Sequence, residues 1–301
     1  MNCCNNIILY IALGDRYINQ AIFSLTSLSN SYQGTCGNFT VKIFTDKPES
    51  FDWLSKLFSL ETVCVSQEQL KQWSGLNSQI LRGKIKAIQE VIYSSSVNLL
   101  FVDTDTFFLG KVDGLFEKIS SGYFVMHLRE WPFSHGRKMD SSFCPKDSEY
   151  LLESGLKISL NDESVMWNSG VIGISSCCKN ILDDVLEFND RFYKENPSWH
   201  VEQLSFSVVF QNSGKLVKAK NRIYHYWHNK EVVDPYIQNL QSLHADQVNS
   251  VLSKARRDRW KLQAILLYKY HSLQLKKFIR GLPYTYKVYL LFKPILKRGK
   301  H

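Results

Sequence analysis

Two aspartates, one residue apart, follow an apolar segment near the middle of the sequence, where residues 99–106 read LLFVDTDT. In an extended chain, side chains at i and i+2 point to the same side, so Asp103 and Asp105 can aim at one point past the end of a buried strand. Ligands of open α/β sheets bind outside the carboxyl ends of strands. Two close carboxylates suit a hard divalent cation, Mn²⁺ or Mg²⁺, which can in turn neutralise a diphosphate.

The same spacing has two other interpretations. Asp is common where strands end, so the two carboxylates could belong to a solvated turn. Phosphatases that form an aspartyl-phosphate place Asp-x-Asp-x-Thr/Val after their first strand and use one Asp as the nucleophile. In this sequence Phe107 occupies the Thr/Val position, and about 100 residues of predicted α/β structure come first. Both features disfavour the phosphatase.

A polar turn precedes a second apolar segment, in residues 167–174 (WNSGVIGI). Asn168 offers a donor and an acceptor to hydroxyl groups, and Gly170 would allow a ligand to approach the backbone closely. An ordinary tight turn would have the same sequence, so this motif gains meaning only together with the others.

Two further groups complete the set of candidates. Glu202 and Gln203 begin a predicted helix, where an acid also interacts favourably with the helix dipole. Residues 224–230 (YHYWHNK) include His225, which can complete a metal site, and Lys230, which can hold a phosphate as a point charge. The alternative for a single His among aromatic residues is a packed side chain.

Taken in order, these motifs resemble those of the GT-A glycosyltransferases over about residues 6–230. The sequence is most similar to the family-eight type, the retaining galactosyl- and glucosyltransferases that include bacterial lipopolysaccharide enzymes. The resemblance implies a nucleotide-diphosphate-sugar donor, foremost a UDP-hexose, a glycan or lipid-linked saccharide acceptor, and Mn²⁺ or Mg²⁺ as cofactor. It also implies retention; an inverting enzyme would need one carboxylate base, for which Asp162, Glu163 and Glu202 are available.

The resemblance implies a role for each candidate residue. Those that would bind the metal are Asp103, Asp105 and His225, or His228 in place of His225. Those that would act on the sugar are Asn168, Glu202 and Gln203, with Gln203 near the reactive carbon. Those that would bind the sugar nucleotide, besides the two aspartates, are Ala12, Tyr17, Lys84, Lys86, Thr104 and Lys230, where Lys84 and Lys86 are equally good matches to a single basic position.

The segment after the first predicted strand departs from the family pattern. Family members usually have an Asp and an Asn there, which read the base and the ribose of the nucleotide. In this sequence Gly14 and Arg16 stand near those positions, whereas Tyr17 fits the pattern. The resemblance therefore implies a nucleotide donor but leaves its base open.

Apolar periodicity places the motifs on an α/β framework. The predicted strands are 6–12, 41–45, 62–65, 98–103, 123–128 and 171–175, and the predicted helices are 18–28, 52–58, 79–94, 112–119 and 181–192. Strands that alternate with helices imply a mostly parallel sheet covered on both faces, as in the GT-A (Rossmann-like) fold. Residues 130–165 have little pattern and are expected to form a long functional loop.

The net charge of +9 is distributed unevenly. Residues 254–301 contain 14 Lys and Arg and one acid, whereas residues 1–253 carry a net charge of −4. We expect a catalytic domain at 1–253 and a basic, helical, aromatic-rich appendix at 254–301 that docks on an anionic membrane surface. A nucleic-acid-binding protein is the weaker alternative, because the appendix contains no recognisable nucleic-acid module.

The resemblance implies a role in lipopolysaccharide or capsule biosynthesis, and the basic appendix leads us to expect a cytoplasmic enzyme that is associated peripherally with the membrane. With 44% hydrophobic and 22% charged residues, the chain is not a disordered protein. No apolar run approaches the ~20 residues that span a bilayer. Residues 1–12 lack a basic flank and a cleavage site, so they are expected to contain the first strand and no signal peptide. The seven cysteines form no CxxC motif and are expected to be free thiols.

Overall fold

The computed structural model describes residues 5–34, 37–134, 148–198, 200–227, 230–238 and 240. The expected domain boundary at 253 and the basic appendix at 254–301 lie outside these residues. So do His228 and residues 135–147 of the expected loop.

A central mixed sheet organises the described residues. Their strands are β1 (Asn5–Ala12), β2 (Thr40–Thr45), β3 (Ser59–Cys64), β4 (Val97–Val102), β5 (Thr106–Phe108), β6 (Phe124–Met126), β7 (Arg129–Pro132), β8 (Ser148–Leu151), β9 (Lys157–Leu160), β10 (Val165–Trp167), β11 (Val171–Ser175), β12 (Leu216–Lys218) and β13 (Ile223–His225). Seven of them pair in the order β12-β6-β11-β4-β1-β2-β3. All neighbours run parallel except β11, which is antiparallel to β4 and β6. The predicted mostly parallel sheet is confirmed.

Helices cover both faces of this sheet, as predicted. They are α1 (Asp15–Ser31), α2 (Gln67–Ser74), α3 (Arg82–Ser94), α4 (Asp113–Ser120), α5 (Ile181–Glu195), α6 (Val201–Ser213) and α7 (Lys230–Ile237). On one face α3, α5 and α6 share a hydrophobic cluster with Leu9, Leu99 and Ile172. On the other face the Tyr10 hydroxyl lies 2.9 Å from Ser24 Oγ of α1. Neighbouring residues of a strand face opposite sides, so Leu9 and Tyr10 separate the two layers.

The two central strands are apolar because both of their faces are covered. All six residues of β4 (VNLLFV) are buried, as are the inner residues of β1. A strand between two helix layers reads as a continuous apolar run without alternation. The polar residues that follow such a strand are therefore the first that can reach solvent, at the carboxyl edge of the sheet.

The reversed direction of β11 brings a second polar segment to this edge. Val171 at the start of β11 pairs with Val102 at the end of β4. Residues 168–170, which precede β11, consequently lie beside residues 103–105, which follow β4.

The expected loop at 130–165 is wrong for the part that is described. β7 pairs with β10 and β8 pairs with β9, each as a two-stranded antiparallel sheet. Strands of three or four residues are too short for their alternation to stand out from the sequence. Two further differences are a 3₁₀ helix at Pro48–Lys56 where an ordinary helix was expected, and the unexpected elements α2 and β5.

Among the described residues, no helix combines the length and the apolar character that are needed to cross a membrane.

Candidate active site

Two carboxylates and one imidazole converge at the carboxyl end of β4. Single ligand atoms of Asp103, Asp105 and His225 all lie within 4.8 Å of one another. His225 Nε2 lies 3.2 Å from Asp105 Oδ1 and 3.9 Å from Asp103 Oδ2. Asp105 is only 4% exposed, so the acids do not form a solvated turn. The structure thus brings together Asp103, Asp105 and His225, three of the residues that were predicted to bind a metal.

A pairing between two short strands places His225 in this group. β13 runs antiparallel to β5, and His225 is the register partner of Thr106. The backbone N–H of Tyr226 donates to the carbonyl oxygen of Asp105 at 3.0 Å. These backbone contacts fix the distance between the imidazole and the acids, although about 120 residues separate them in the sequence.

Two lysines neutralise the aspartates from opposite sides. Lys230 Nζ lies 2.9 Å from Asp105 Oδ2, and Lys84 Nζ lies 3.2 Å from Asp103 Oδ1. Burial opposes the ionisation of Asp105, but the hydrogen bond and charge of His225 and the charge of Lys230 outweigh it and hold the pKa of Asp105 well below its usual range. Asp105 is therefore ionised at neutral pH, as a metal ligand must be.

Lys84 is buried between two acids. Its Nζ lies 3.4 Å from Glu202 Oε1 and is within hydrogen-bond distance of the carbonyl oxygen of Ser169, 3.3 Å away. Burial alone would lower the pKa of Lys84, but the charges of Asp103 and Glu202 raise it above the usual value. Lys84 is therefore a permanent internal cation beneath the aspartates.

The structure distinguishes the two lysines that matched one basic position. Lys86 Nζ donates to Gln89 Oε1 at 2.9 Å on the surface of α3 and does not line the site. A helix turns by about 200° over two residues at 3.6 residues per turn, so Lys84 and Lys86 face opposite sides of α3. Of the two, only Lys84 can serve this site.

Glu202 at the start of α6 is almost completely buried. Ser169 Oγ donates to Glu202 Oε2 at 3.1 Å. Burial and, to a smaller extent, the charge of Asp103 raise the pKa of Glu202, whereas Lys84 and Ser169 oppose the shift; the resulting pKa is about 7. Glu202 can therefore change its protonation state near neutral pH.

An acid that the sequence analysis missed connects two predicted residues. Glu130 of β7 accepts hydrogen bonds from Asn168 Nδ2 at 3.0 Å and from Gln203 Nε2 at 2.9 Å. Burial raises the pKa of Glu130, opposed by these two hydrogen bonds. No motif marks Glu130, since β7 lies in the segment that was expected to be loop, and only the antiparallel pairing of β7 with β10 carries it into the site.

The remaining predicted nucleotide contacts, Ala12, Tyr17 and Thr104, do not line the cavity over the two aspartates. Thr104 Oγ1 donates to Gln20 Oε1 at 2.9 Å and is buried, so its side chain faces α1. Ala12 is buried at the end of β1, and Tyr17 is 45% exposed on α1. Arg16, at the position that departs from the family pattern, forms an ion pair with Asp234 of α7, with 2.7 Å between Nη2 and Oδ2.

A cavity of about 390 Å³ opens directly over these groups. Its polar part comprises Lys84, Asp103, Asp105, Glu130, Asn168, Ser169, Glu202, Gln203, His225 and Lys230, and its wall includes Leu81, Trp131, His200 and Trp227. A concave cavity with convergent polar groups is typical of a small-molecule site. Its many hydrogen-bonding groups and its two tryptophans suit a sugar.

The donor set fits a hard divalent cation. Two carboxylate oxygens and one imidazole nitrogen are ligands that Mn²⁺ and Mg²⁺ accept. The geometry leaves the cavity side of the three ligands open, as required for a metal that also binds a substrate oxygen.

No protein-family model and no curated protein matches this sequence. Several solved glycosyltransferase structures are similar to the chain. One is the galactosyltransferase LgtC in complex with donor and acceptor sugar analogues, at 10% identity and a TM-score of 0.48, covering 82% of this chain and 95% of that chain. Mouse xyloside xylosyltransferase 1 in its apo form has 11% identity and a TM-score of 0.46, covering 71% and 84%.

A third similar structure is core-mannan synthase A from Aspergillus fumigatus in its Mn/GDP form, at 10% identity and a TM-score of 0.44, covering 74% of this chain and 75% of that chain.

Proposed function

We propose that this protein is a metal-dependent glycosyltransferase that moves a hexose from a nucleotide-diphosphate sugar to a saccharide acceptor. The observation that carries the proposal is the convergence of Asp103, Asp105 and His225 in a cavity that is also lined with hydrogen-bonding side chains and two tryptophans. Breaking the bond between a sugar and a diphosphate leaves negative charge on the diphosphate. The site supplies the ligands and the cations that stabilise this charge.

Asp103, Asp105 and His225 would hold Mn²⁺ or Mg²⁺. When bound, the metal neutralises charge that develops on the leaving diphosphate. Lys230 lies beside the metal ligands, and its side chain is 32% exposed toward the cavity, so its ammonium can contact a diphosphate oxygen. Lys84 instead holds Asp103 in place through an ion pair, because it is enclosed between that acid and Glu202.

The sugar would occupy the part of the cavity bounded by Glu130, Glu202 and Gln203. Gln203 donates to Glu130 and accepts from the backbone N–H of Ser169 at 3.4 Å, so its amide is held at the cavity wall. We propose retention of configuration. Of the three carboxylates available to an inverting enzyme, Glu202 lines the cavity whereas Asp162 and Glu163 do not, so the proposal of retention rests on the family resemblance.

The donor base, the acceptor and the location are proposed on sequence grounds. UDP is the proposed nucleotide, and a lipid-linked saccharide of lipopolysaccharide or capsule biosynthesis is the proposed acceptor. The basic appendix at 254–301, with 14 Lys and Arg, would hold the enzyme against an anionic leaflet of the membrane from its cytoplasmic side. Such attachment would bring the active site to the plane of a lipid-linked acceptor.

The phosphatase alternative receives no support from the topology. In such a phosphatase the Asp-x-Asp would follow the first strand. Here the two acids follow β4, which is the fourth strand of the chain. The nucleic-acid alternative depends only on the appendix.

Release of UDP from several UDP-sugars in the presence of Mn²⁺ tests the proposed function. Slow hydrolysis without an acceptor is expected, and it should disappear with EDTA and in Asp105→Asn. The control Asp113→Asn changes an acid of α4 that accepts from the Tyr32 hydroxyl, away from the site, and should leave activity unchanged. Full activity in EDTA, or equal activity of Asp105→Asn and wild type, would refute the proposal.

A further inference from the structure

The turn at residues 168–170 holds the imidazole of His225 from two sides. Asn168 Oδ1 accepts hydrogen bonds from His225 Nδ1 at 2.8 Å and from the backbone N–H of Gly170 at 3.0 Å. A methyl group on Gly170 would collide with the imidazole at Nδ1, Cε1 and Cγ. The ring therefore packs directly on the backbone of Gly170, which only a residue without a side chain permits.

This contact determines which ring nitrogen faces the acids. Because Asn168 Oδ1 is an acceptor, Nδ1 of His225 carries a proton, so the lone pair is on Nε2 whenever the ring is in the neutral form that binds a metal. Nε2 is the atom that lies 3.2 Å from Asp105 and 3.9 Å from Asp103. A histidine that ligates a metal is commonly held in this way by a partner on its other nitrogen.

Glu130 in turn determines how the amide of Asn168 is oriented. A carboxylate only accepts hydrogen bonds, so Glu130 draws the NH₂ group of Asn168 toward itself, as it does the NH₂ group of Gln203. The oxygen of Asn168 is then left facing His225. With the amide reversed, its NH₂ group would face the N–H of Gly170 and its oxygen would face the carboxylate of Glu130, so both contacts would be repulsive.

We propose that Glu130 and Asn168 are positioning residues, which together fix His225 with Nε2 toward Asp103 and Asp105. Asn168 has this role in place of the sugar-orienting role that the family resemblance implied. The inference deepens the proposed function and rests on it, since the metal is the partner of Nε2.

Metal affinity tests the chain of contacts from Glu130 to His225. Free Mn²⁺ is measured by electron paramagnetic resonance during titration of the metal-free protein. Asn168→Leu removes the acceptor and should weaken Mn²⁺ binding by about 10- to 100-fold. The double variant Asn168→Asp/Glu130→Gln keeps an acceptor for His225 and exchanges donor and acceptor between positions 130 and 168, so its affinity should remain within about threefold of wild type.

Asn98→Leu is the matched control. Asn98 and Asn168 are both 4% exposed, but Asn98 lies in β4 and donates to Asn6. Asn98→Leu should therefore keep the affinity for Mn²⁺, whatever it does to stability. Wild-type affinity in Asn168→Leu, or a double variant as weak as Asn168→Leu, would overturn the inference.

A measurement without metal separates this inference from the proposed function. In long-range ¹H–¹⁵N spectra of the metal-free protein labelled at histidine, Nδ1 of His225 should carry a proton in wild type, and Asn168→Leu should lose that preference. If wild type binds no Mn²⁺, the proposed function fails while these spectra still test the inference. A wild-type His225 protonated only at Nε2 would overturn it.

Discussion

Lys84 and Glu202 form a nearly solvent-free ion pair, with 3.4 Å between Nζ and Oε1 and relative exposures of 9% and 2% for the two side chains. The pair lies directly beneath Asp103, the other acid that Lys84 contacts. A buried pair costs desolvation to form, but removal of one partner leaves the other charge without compensation. Lys84 thus connects the stability of the protein to the arrangement of its metal ligands.

Lys84→Met should destabilise the fold in a pH-dependent manner. Loss of a partner from a buried pair costs about 3 to 5 kcal/mol, and we expect this loss in the free energy of unfolding at pH 8. The loss should be smaller at pH 5, where Glu202 can be protonated. Urea unfolding in EDTA measures both. Lys86→Met, two residues along the same helix, is the control and should change little; an equal effect of the two variants would contradict the assignment.

Glu202→Gln should change how stability depends on pH. The pKa of Glu202 is about 7 in the folded protein and lower when unfolded. The folded state therefore binds the proton more tightly, and the stability from this group is present at acidic pH and lost as pH rises toward 7. At 1.36 kcal/mol per unit, the difference between wild type and Glu202→Gln should change by about 3 kcal/mol between pH 4 and pH 8. If urea unfolding gives the same difference in free energy of unfolding between the two proteins at pH 4 and at pH 8, burial does not raise the pKa of Glu202.

His127→Gln should change the pH dependence of stability in the opposite direction. Burial, together with the charge of His225, lowers the pKa of His127 to about 3, below its value in the unfolded chain. The unfolded state binds the proton more tightly, so stability is present above about pH 6.5 and lost as pH falls, at about 1.4 kcal/mol per unit.

The glutamine amide can still donate to the carbonyl oxygen of Ile223, which His127 Nε2 contacts at 3.2 Å. His127→Gln should therefore be less sensitive to acid than wild type in urea unfolding from pH 7 to pH 4. If the free energies of unfolding of wild type and His127→Gln fall equally from pH 7 to pH 4, the pKa of His127 is not lowered.

His225→Ala should weaken Mn²⁺-dependent binding of UDP, and His228→Ala should weaken it much less. His225 Nε2 faces both aspartates, and loss of one of three protein ligands should cost at least tenfold in affinity. Calorimetric titration of UDP with and without Mn²⁺ measures the effect. The reverse ranking would mean that His228 is the ligand.

The basic appendix leads to a prediction about lipid. Each basic residue near an anionic leaflet contributes about 1 kcal/mol, so engagement of even half of the 14 Lys and Arg at 254–301 would give reversible attachment. In flotation experiments the full-length protein should bind vesicles that contain anionic lipid, and binding should fall with salt. Equal binding to neutral vesicles, or none to either kind, would refute membrane docking.

Site residues could be predicted from the sequence where they directly follow a recognisable strand. The apolar run of β4 and the polar residues after it are adjacent in the chain, so Asp103 and Asp105 could be placed at the edge of a sheet directly. The alternation of strands and helices likewise predicted a mostly parallel sheet.

Contacts between segments that are distant in the chain could not be predicted from local sequence patterns. Glu130 reaches the site through the pairing of β7 with β10, and His225 through the pairing of β13 with β5. These strands have only three or four residues and too little periodicity to be recognised. The choice between Lys84 and Lys86 likewise required the actual orientation of α3 relative to the acids.

The pairing of β13 with β5 also bears on how the protein unfolds. It places His225 beside Asp103 and Asp105, which lie about 120 residues earlier in the chain, so a single ion bound to all three would act as a reversible cross-link. The unfolded chain cannot present these ligands together, so free metal favours the native state by mass action. Chelation of the metal should therefore destabilise the pairing of β13 with β5 as well as the site itself, because it removes the link between these two segments.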